Sequence, residues 1–351
     1  MDKNEASKQY TDNFQHLFPI ILSAKIRSKN EDFIVNEIPS VEPVHTGEHV
    51  WLKIRKSGEN TDWVAGLLAK IAGVKRRDVS YAGMKDRNAI TTQWFSIYLP
   101  GKAAPNWQSQ LPDNIELLEE TRHERKLRRG TLKGNQFQIT LRNCNYLNDG
   151  SLEKIKQRID HIREQGVPNY FGNQRFGRNF YNLHKAEMWF TGKFKPKKRN
   201  LQGIYLSSAR SWIFNQILSE RIRQGTWNQA INGDVFMLEG SHSWFAEALS
   251  DEIKQRVDAK KLHPTGALWG KGDLGSQHDM QIIEEKVGQQ YHHLIQGLCD
   301  NKLKQERRSL RLPVDSIECK VINNQDLLLN FYLPSGSYAT SVLRELTIFQ
   351  P

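Results

Sequence analysis

The chain has 351 residues, enough for one large domain or two of ordinary size. A hydrophobic content of 38% and a charged content of 25% suit a folded soluble protein, and no run of about 18 apolar residues offers a membrane span. A net charge of +11 favours a polyanionic partner, nucleic acid ahead of an anionic membrane, while three scattered cysteines (Cys144, Cys299 and Cys319) exclude a disulfide framework or a cysteine-based zinc site.

In chain order, residues 1–20 read as an arm or partial strand, and their polar start lacks a signal-like apolar run, which makes the cytoplasm the expected location. Phe33–Ile38 and His49–Lys56 alternate as strands. Gly58 to Thr61 reads as a turn, with Thr61 a candidate cap for a helix whose apolar face carries Trp63, Leu67, Leu68 and Ile71. Val79–Ala82, Gln93–Leu99, Ile115–Glu120 and Asn135–Leu141 follow as strands, and Leu152–Gln165 as a helix capped by Ser151. The middle is richer in helix: Leu183–Thr191, Ser208–Gln224, Glu252–Lys260, and one or two helices within His278–Arg308. Strands return at Cys319–Ile322 and Asp326–Leu333, and Tyr338–Leu346 begins a last helix. This β, helical, β succession fits a discontinuous domain with another inserted into it, or one continuous α+β domain.

Cations cluster at Lys75–Arg77, Arg122–Arg129, Lys193–Arg199 and Lys302–Arg311. Such groups track a phosphate backbone without reading much base identity, or form an ordinary solvated surface. The densest, around Arg125, Arg128 and Arg129, is the best candidate for RNA or DNA contact. Aromatics near polar turns, Tyr170 and Phe171 among them, could stack on an extruded base, although core packing is the commoner use of such rings.

No motif calls for a metal, a P-loop nucleotide or a serine nucleophile. The informative stretch is Ala82-Gly83-Met84-Lys85-Asp86-Arg87-Asn88-Ala89. Asp86 lies between two cations just after a glycine that would let the loop turn tightly or let substrate come close. Lys85, Arg87 or a distant cation could keep the carboxylate ionised, as a covalent nucleophile or a base. The residues alone also allow a plain surface ion group.

That stretch, continued to Thr91-Thr92-Gln93, resembles the catalytic loop of the TruD family of tRNA pseudouridine synthases. So do Glu31-Asp32-Phe33 with Glu37, Lys133-Gly134-Asn135-Gln136-Phe137, Val167 to Gly177, Ser208 to Ser211, Gly233-Asp234 and Leu333 to Leu346, in family order over nearly the whole chain. The resemblance implies a mixed α+β fold: a pseudouridine-synthase core (1–158 and 308–351) with a largely antiparallel sheet, and an inserted α/β domain at 159–307. It also implies a tRNA partner, pseudouridine at position 13 of a glutamate tRNA as product, no cofactor or metal, and, with both RNA-binding lobes on one chain, a monomer. Asp86 takes the nucleophile's place, Asn135 that of a residue holding the loop and Asp86, and Phe137 that of a ring near the base. Arg27 stands where the family often has a lysine, which the resemblance makes the candidate cation facing Asp86, and Asn30 stands where the family has a proline. Phe33, Glu37, Lys85, Arg87, Asn169, Tyr170, Arg175 and Arg344 join Arg125, Arg128 and Arg129 as the expected RNA-facing set. A non-catalytic RNA-binding protein on the same scaffold is the alternative.

Overall fold

Apolar residues at every second position make the long strands of this chain, and the computed structural model, which describes residues 10–146, 151–323 and 325–349, pairs them into one large sheet. The first half contains β1 (Leu22–Lys25), β2 (Phe33–Pro39), β3 (His49–Ser57), α1 (Thr61–Ile71), β4 (Val79–Tyr81), β5 (Ile90–Tyr98), β6 (Ile115–His123), β7 (Leu132–Tyr146) and α2 (Ser151–Gln165). The middle contains β8 (Val167–Pro168), α3 (Tyr181–Phe190), α4 (Arg199–Arg223), β9 (Val235–Leu238), β10 (Trp244–Ala246), α5 (Asp251–Asp258), β11 (Leu262–Leu268), α6 (His278–Gln290) and α7 (His292–Asp300). The remainder is β12 (Glu306–Ser309), β13 (Arg311–Leu312), β14 (Asp315–Asn323), β15 (Asp326–Pro334), α8 (Ala339–Leu343) and β16 (Ile348–Phe349).

The chain divides into two compact units. One, the sheet unit, comprises Ile20–Glu164, Val314–Ala339 and the described part of Leu346–Pro351. The other, the helical unit, comprises Gln165–Pro313, Thr340–Glu345 and the described part of Met1–Pro19. Its principal segment thus starts and ends a few residues later than the 159–307 expected from sequence. The early arm belongs to it because Tyr10 and Phe14 insert their rings against Trp212, at centroid distances of 5.1 and 5.0 Å.

The sheet unit carries the strand order β14-β15-β7-β2-β5-β3-β6, with β1, β16 and β4 added at its sides. Every pair along this order is antiparallel except β2 with β5, so the expected mixed, largely antiparallel fold is the one observed. The parallel pair positions the site. It sets the starts of β2 and β5 side by side (Ile34 opposite Ile90), while antiparallel β3 brings its end, Ser57, to the same place. The chain entering β2, the loop entering β5 and the turn leaving β3 therefore converge.

Val50, Leu52, Ile54, Phe95 and Ile97 pack against α1 through Val64 and Leu68, all of them fully enclosed. Each such side chain contributes about 1.5–3 kcal/mol by leaving water. Trp63, expected on that face, is instead half-exposed, because Val64, Ala65, Leu68 and Ala69 form the buried stripe. Thr61 is not the cap: Asn60 holds that position and the Thr61 hydroxyl is used elsewhere.

In the helical unit, α4 runs through the core with Ile213, Phe214, Ile217 and Leu218 fully enclosed, packed by α3, α6 and α7. A four-stranded sheet, β10-β9-β11-β12, completes it. Two cations of the Lys302–Arg311 group prove internal: Arg307 pairs with Glu284, and Arg311 bonds to His263 Nδ1 and to the carbonyls of Val257 and Leu262. Burial pushes the Arg311 guanidinium down to about 10.

Candidate active site

The loop Gly83–Ala89 is framed by the turn that leaves β3. Thr61 Oγ1 accepts from the Lys85 N–H (2.9 Å) and donates to Gln93 Oε1 (3.0 Å), and Gln93 Nε2 donates to the Gly83 carbonyl (3.0 Å). Arg87 Nε donates to the Gly58 carbonyl, and the Gly58 N–H donates to the Ala89 carbonyl, both at 3.3 Å. Gly58 makes this possible with φ +75°, a left-handed backbone that other residues adopt at a cost. Gly83, expected to supply the tight turn, has no such backbone, and a Cβ there would meet only Lys85 Nζ at 3.9 Å.

The cations that flank Asp86 in sequence turn away from its carboxylate. Lys85 forms an ion pair with Glu37, both side chains being nearly enclosed. Glu37 also accepts from the Trp94 N–H. Expected on the RNA-facing side, Glu37 is an internal counter-ion that holds the loop. The partner of the Asp86 carboxylate is Arg27, whose Nη2 lies 3.2 Å from Oδ1, with side chains 22% and 37% exposed. Arg27 has φ 57°, a left-handed conformation that costs a non-glycine residue about 1–2 kcal/mol. That turn leads the chain from β1 into β2.

The Arg27 guanidinium lies 4.1 Å above the Phe33 ring. Phe33 meets Phe137 edge-on at 6.2 Å, and Phe137 stacks on Phe331 at 5.3 Å. Strand register dictates this column: Val35 lies opposite Phe137 on one side, and Phe331 opposite Phe137 on the other. Phe137 is buried, so it supports Phe33, the ring beneath the Arg27 guanidinium, from inside the sheet unit rather than presenting an open face. Asn135 stands across from Glu37, and its buried Oδ1 accepts no hydrogen bond from the described residues.

The basic loop after β6 is plugged into the same unit. Leu127 inserts beside Trp51 and Trp94, its N–H donates to Ser96 Oγ, and Trp51 Nε1 donates to the Arg125 carbonyl. Gly130 N–H donates to the Ala82 carbonyl at 2.8 Å, tying this loop to the one bearing Asp86. With Leu127 as anchor, Arg125, Arg128 and Arg129 stay exposed.

Asn169, Tyr170, Arg175 and Arg344 belong to the helical unit. Two of them are internal, contrary to the expected RNA contact. Asn169 donates to the Ser309 carbonyl and accepts from Arg308. Tyr170, 2% exposed, stacks on Phe14 and donates to the Gln15 carbonyl, so its ring has no open face for a base. Burial raises its hydroxyl pKa. Arg344 covers Tyr170 at 4.2 Å and donates to the Phe14 carbonyl. Arg175 bonds to Ser207 and lies 5.4 Å from the Phe171 ring.

A family model described as tRNA pseudouridine synthase D (TruD) matches residues 22–189 and 181–346. The chain belongs to the TruD family. It is 47% identical over 324 residues to tRNA pseudouridine synthase D of Hydrogenovibrio crunogenus, covering 92% of each chain. It is 46% identical over 328 residues to that of Methylococcus capsulatus, covering 93% of this chain and 92% of the other. A crystal structure from Methanosarcina mazei, of a chain described as a candidate TruD, shares the fold, with TM-score 0.71 and 23% identity over 98% of this chain and 97% of that one.

Two residues of this arrangement escaped sequence reading. Phe331 closes the column, and Lys56 donates to the Asp86 carbonyl at 2.8 Å. Their signal is phase. Phe331 alternates with Leu327, Leu329 and Leu333, and Lys56 falls on the face of Val50, Leu52 and Ile54. Among the described residues, no group of three His, Cys, Asp or Glu is placed to hold a metal, and no helix is long and apolar enough to cross a membrane.

Proposed function

We propose that this protein isomerises uridine to pseudouridine in tRNA, at position 13 of a glutamate tRNA, with Asp86 as the reacting carboxylate. The observation that carries the reading is the Arg27–Asp86 pair: a carboxylate with one cationic partner, partly open to solvent, on a loop whose backbone is otherwise tied down. The reaction breaks N1–C1′, joins C1′ to C5, removes the C5 proton and leaves one on N1, so atoms balance without a co-reactant. Asp86 serves either by adding to C1′ or by assisting glycal formation, and it is suited to take the C5 proton afterwards. Arg27 balances its charge, Asn135 offers a free amide oxygen, and the Phe33–Phe137–Phe331 column keeps the guanidinium in place.

The uridine must leave the helical stack, at a cost of a few kcal/mol. Arg125, Arg128 and Arg129 offset part of it by engaging phosphates beside the loop that bears Asp86. Arg175 and Arg344 are the tRNA contacts of the helical unit, and a monomer is the acting species. The decisive experiment incubates the protein with unmodified tRNA from the matching organism and maps new pseudouridine by mass-sensitive chemical detection. A product at position 13 is expected. Saturable tRNA binding with no pseudouridine would instead establish a non-catalytic RNA-binding protein.

A further inference from the structure

Lys56 occupies the last core-facing position of β3 and is fully enclosed. An ammonium ion removed from water is strongly disfavoured unless something compensates it. Lys56 forms no ion pair among the described residues; Nζ donates to two main-chain carbonyls, Glu59 at 2.6 Å and Asp86 at 2.8 Å. Its neighbours across the sheet, Thr91 on β5 and Ile115 on β6, are uncharged. The charged groups that act on it are Asp86, Glu59 and Lys85. Beyond them, Arg27 holds the Asp86 carboxylate and Arg87 is tied to Gly58.

A hydrogen bond to a carbonyl needs only a neutral donor, which an asparagine or a serine would supply without the cost of burying charge. What a cation adds is attraction to the carboxylate of the residue whose carbonyl it grips. Lys85 and Arg87 are turned elsewhere, so Arg27 and Lys56 are the cations that bear on Asp86, one at the side chain and one at the backbone.

We propose that Lys56 is a positioning residue for the uridine isomerisation, its buried ammonium fixing the Asp86 main chain and matching the carboxylate charge from inside the sheet unit. The proposal rests on Asp86 being the reacting carboxylate. Asp86 gives up and regains its negative charge during either route, and a cation gripping its main chain at a constant distance keeps the carboxylate in reacting position throughout.

A pH dependence follows. Burial pushes the Lys56 amine down to about 8, with attraction to Asp86 and Glu59 opposing the shift and Lys85 adding to it. The group is charged below that pH and neutral above it, so the chemical step slows as pH rises through this range.

The test measures single-turnover pseudouridine formation with saturating unmodified tRNA, from about pH 6.5 to about pH 9, for the wild type, Lys56→Met and Asp86→Asn. The wild-type rate is expected to fall above pH 8. Lys56→Met is expected to lose roughly 30–100-fold at neutral pH, to lack the alkaline fall, and to keep tRNA affinity. A folded Lys56→Met protein with wild-type rate overturns the proposal. So does one that loses rate and tRNA affinity in proportion with an unchanged pH profile, the mark of a merely structural residue. Should Lys56→Met not fold, the wild-type profile decides: no fall above pH 8 overturns it. Full activity in Asp86→Asn would refute the reading of Asp86 instead, independently of what Lys56 shows.

Discussion

Two arginine–aspartate pairs in this chain have the same chemistry and opposite surroundings. Arg221 and Asp234, in the helical unit, are fully enclosed at 2.6 Å. Arg221 also donates to the Thr226 and Gln229 carbonyls, and Asp234 accepts from the Ile231 N–H. The preceding Gly233, at φ +81°, passes so close to Gln277 that a Cβ would stand 1.8 Å from its carbonyl oxygen. Every donor and acceptor there is committed to architecture. Arg27 and Asp86, by contrast, share one 3.2 Å contact, stay partly open, and leave the buried Arg27 Nε without a hydrogen-bond partner among the described residues. The saturated pair holds the fold; the under-satisfied pair has capacity left for a substrate.

Substitutions can break this contrast. Asp86→Asn should reduce pseudouridine formation by at least about 10³-fold while tRNA binding, measured by filter retention, stays near normal. Arg221→Ala should do the reverse: it strands Asp234 inside the unit and costs about 3–5 kcal/mol in urea unfolding, with turnover per folded molecule preserved. Arg27→Lys keeps the charge but loses the flat guanidinium over Phe33, so turnover should drop roughly 10–100-fold with a small change in melting temperature. The double substitution Arg128→Gln, Arg129→Gln should leave saturated turnover intact and lower the salt dependence of tRNA affinity by up to about two log units of slope. If Arg221→Ala abolished turnover in folded protein, or if Arg27→Lys were silent, the division between a structural and a reactive pair would collapse.

Periodicity made much of the fold legible. β3 and α1 carry apolar residues at spacings of two and of three to four, and both form where that spacing places them. β8, β13 and β16 are two residues long, too short for any period to register. β11 contains Pro264 and is buried on both faces for most of its length, so no alternation marks it. α4 starts at Arg199, well before its expected beginning at Ser208, because its first two turns bury only Tyr205, with Leu201 and Leu206 partly covered, too few apolar positions to mark a period. The motif residues around Asp86 were readable, and the resemblance also put Arg27 forward as the cation facing Asp86, a pairing the structure makes at 3.2 Å; composition and spacing alone did not reach it. Charge adjacency in sequence pointed to Lys85 and Arg87, whereas the parallel β2–β5 register delivers Arg27. Lys56 went unnoticed because polarity was weighed without its phase.

The aromatic column beneath Arg27 spans Phe33, Phe137 and Phe331, and the last of these is translated after the entire Gln165–Pro313 segment. A ribosome therefore releases Arg27, Lys56 and Asp86 long before β15 exists to cover β7. In the interval the strand carrying Phe137, Ile139 and Leu141 has one open edge, the kind of surface that pairs with other chains. A chain ended at Pro313 would keep Asp86 and Arg27 yet leave that edge of β7 open to other chains and aggregate. Completion of the sheet beneath the Arg27–Asp86 pair is thus timed by the arrival of the C-terminal hairpin, which couples that pair's surroundings to full-length synthesis.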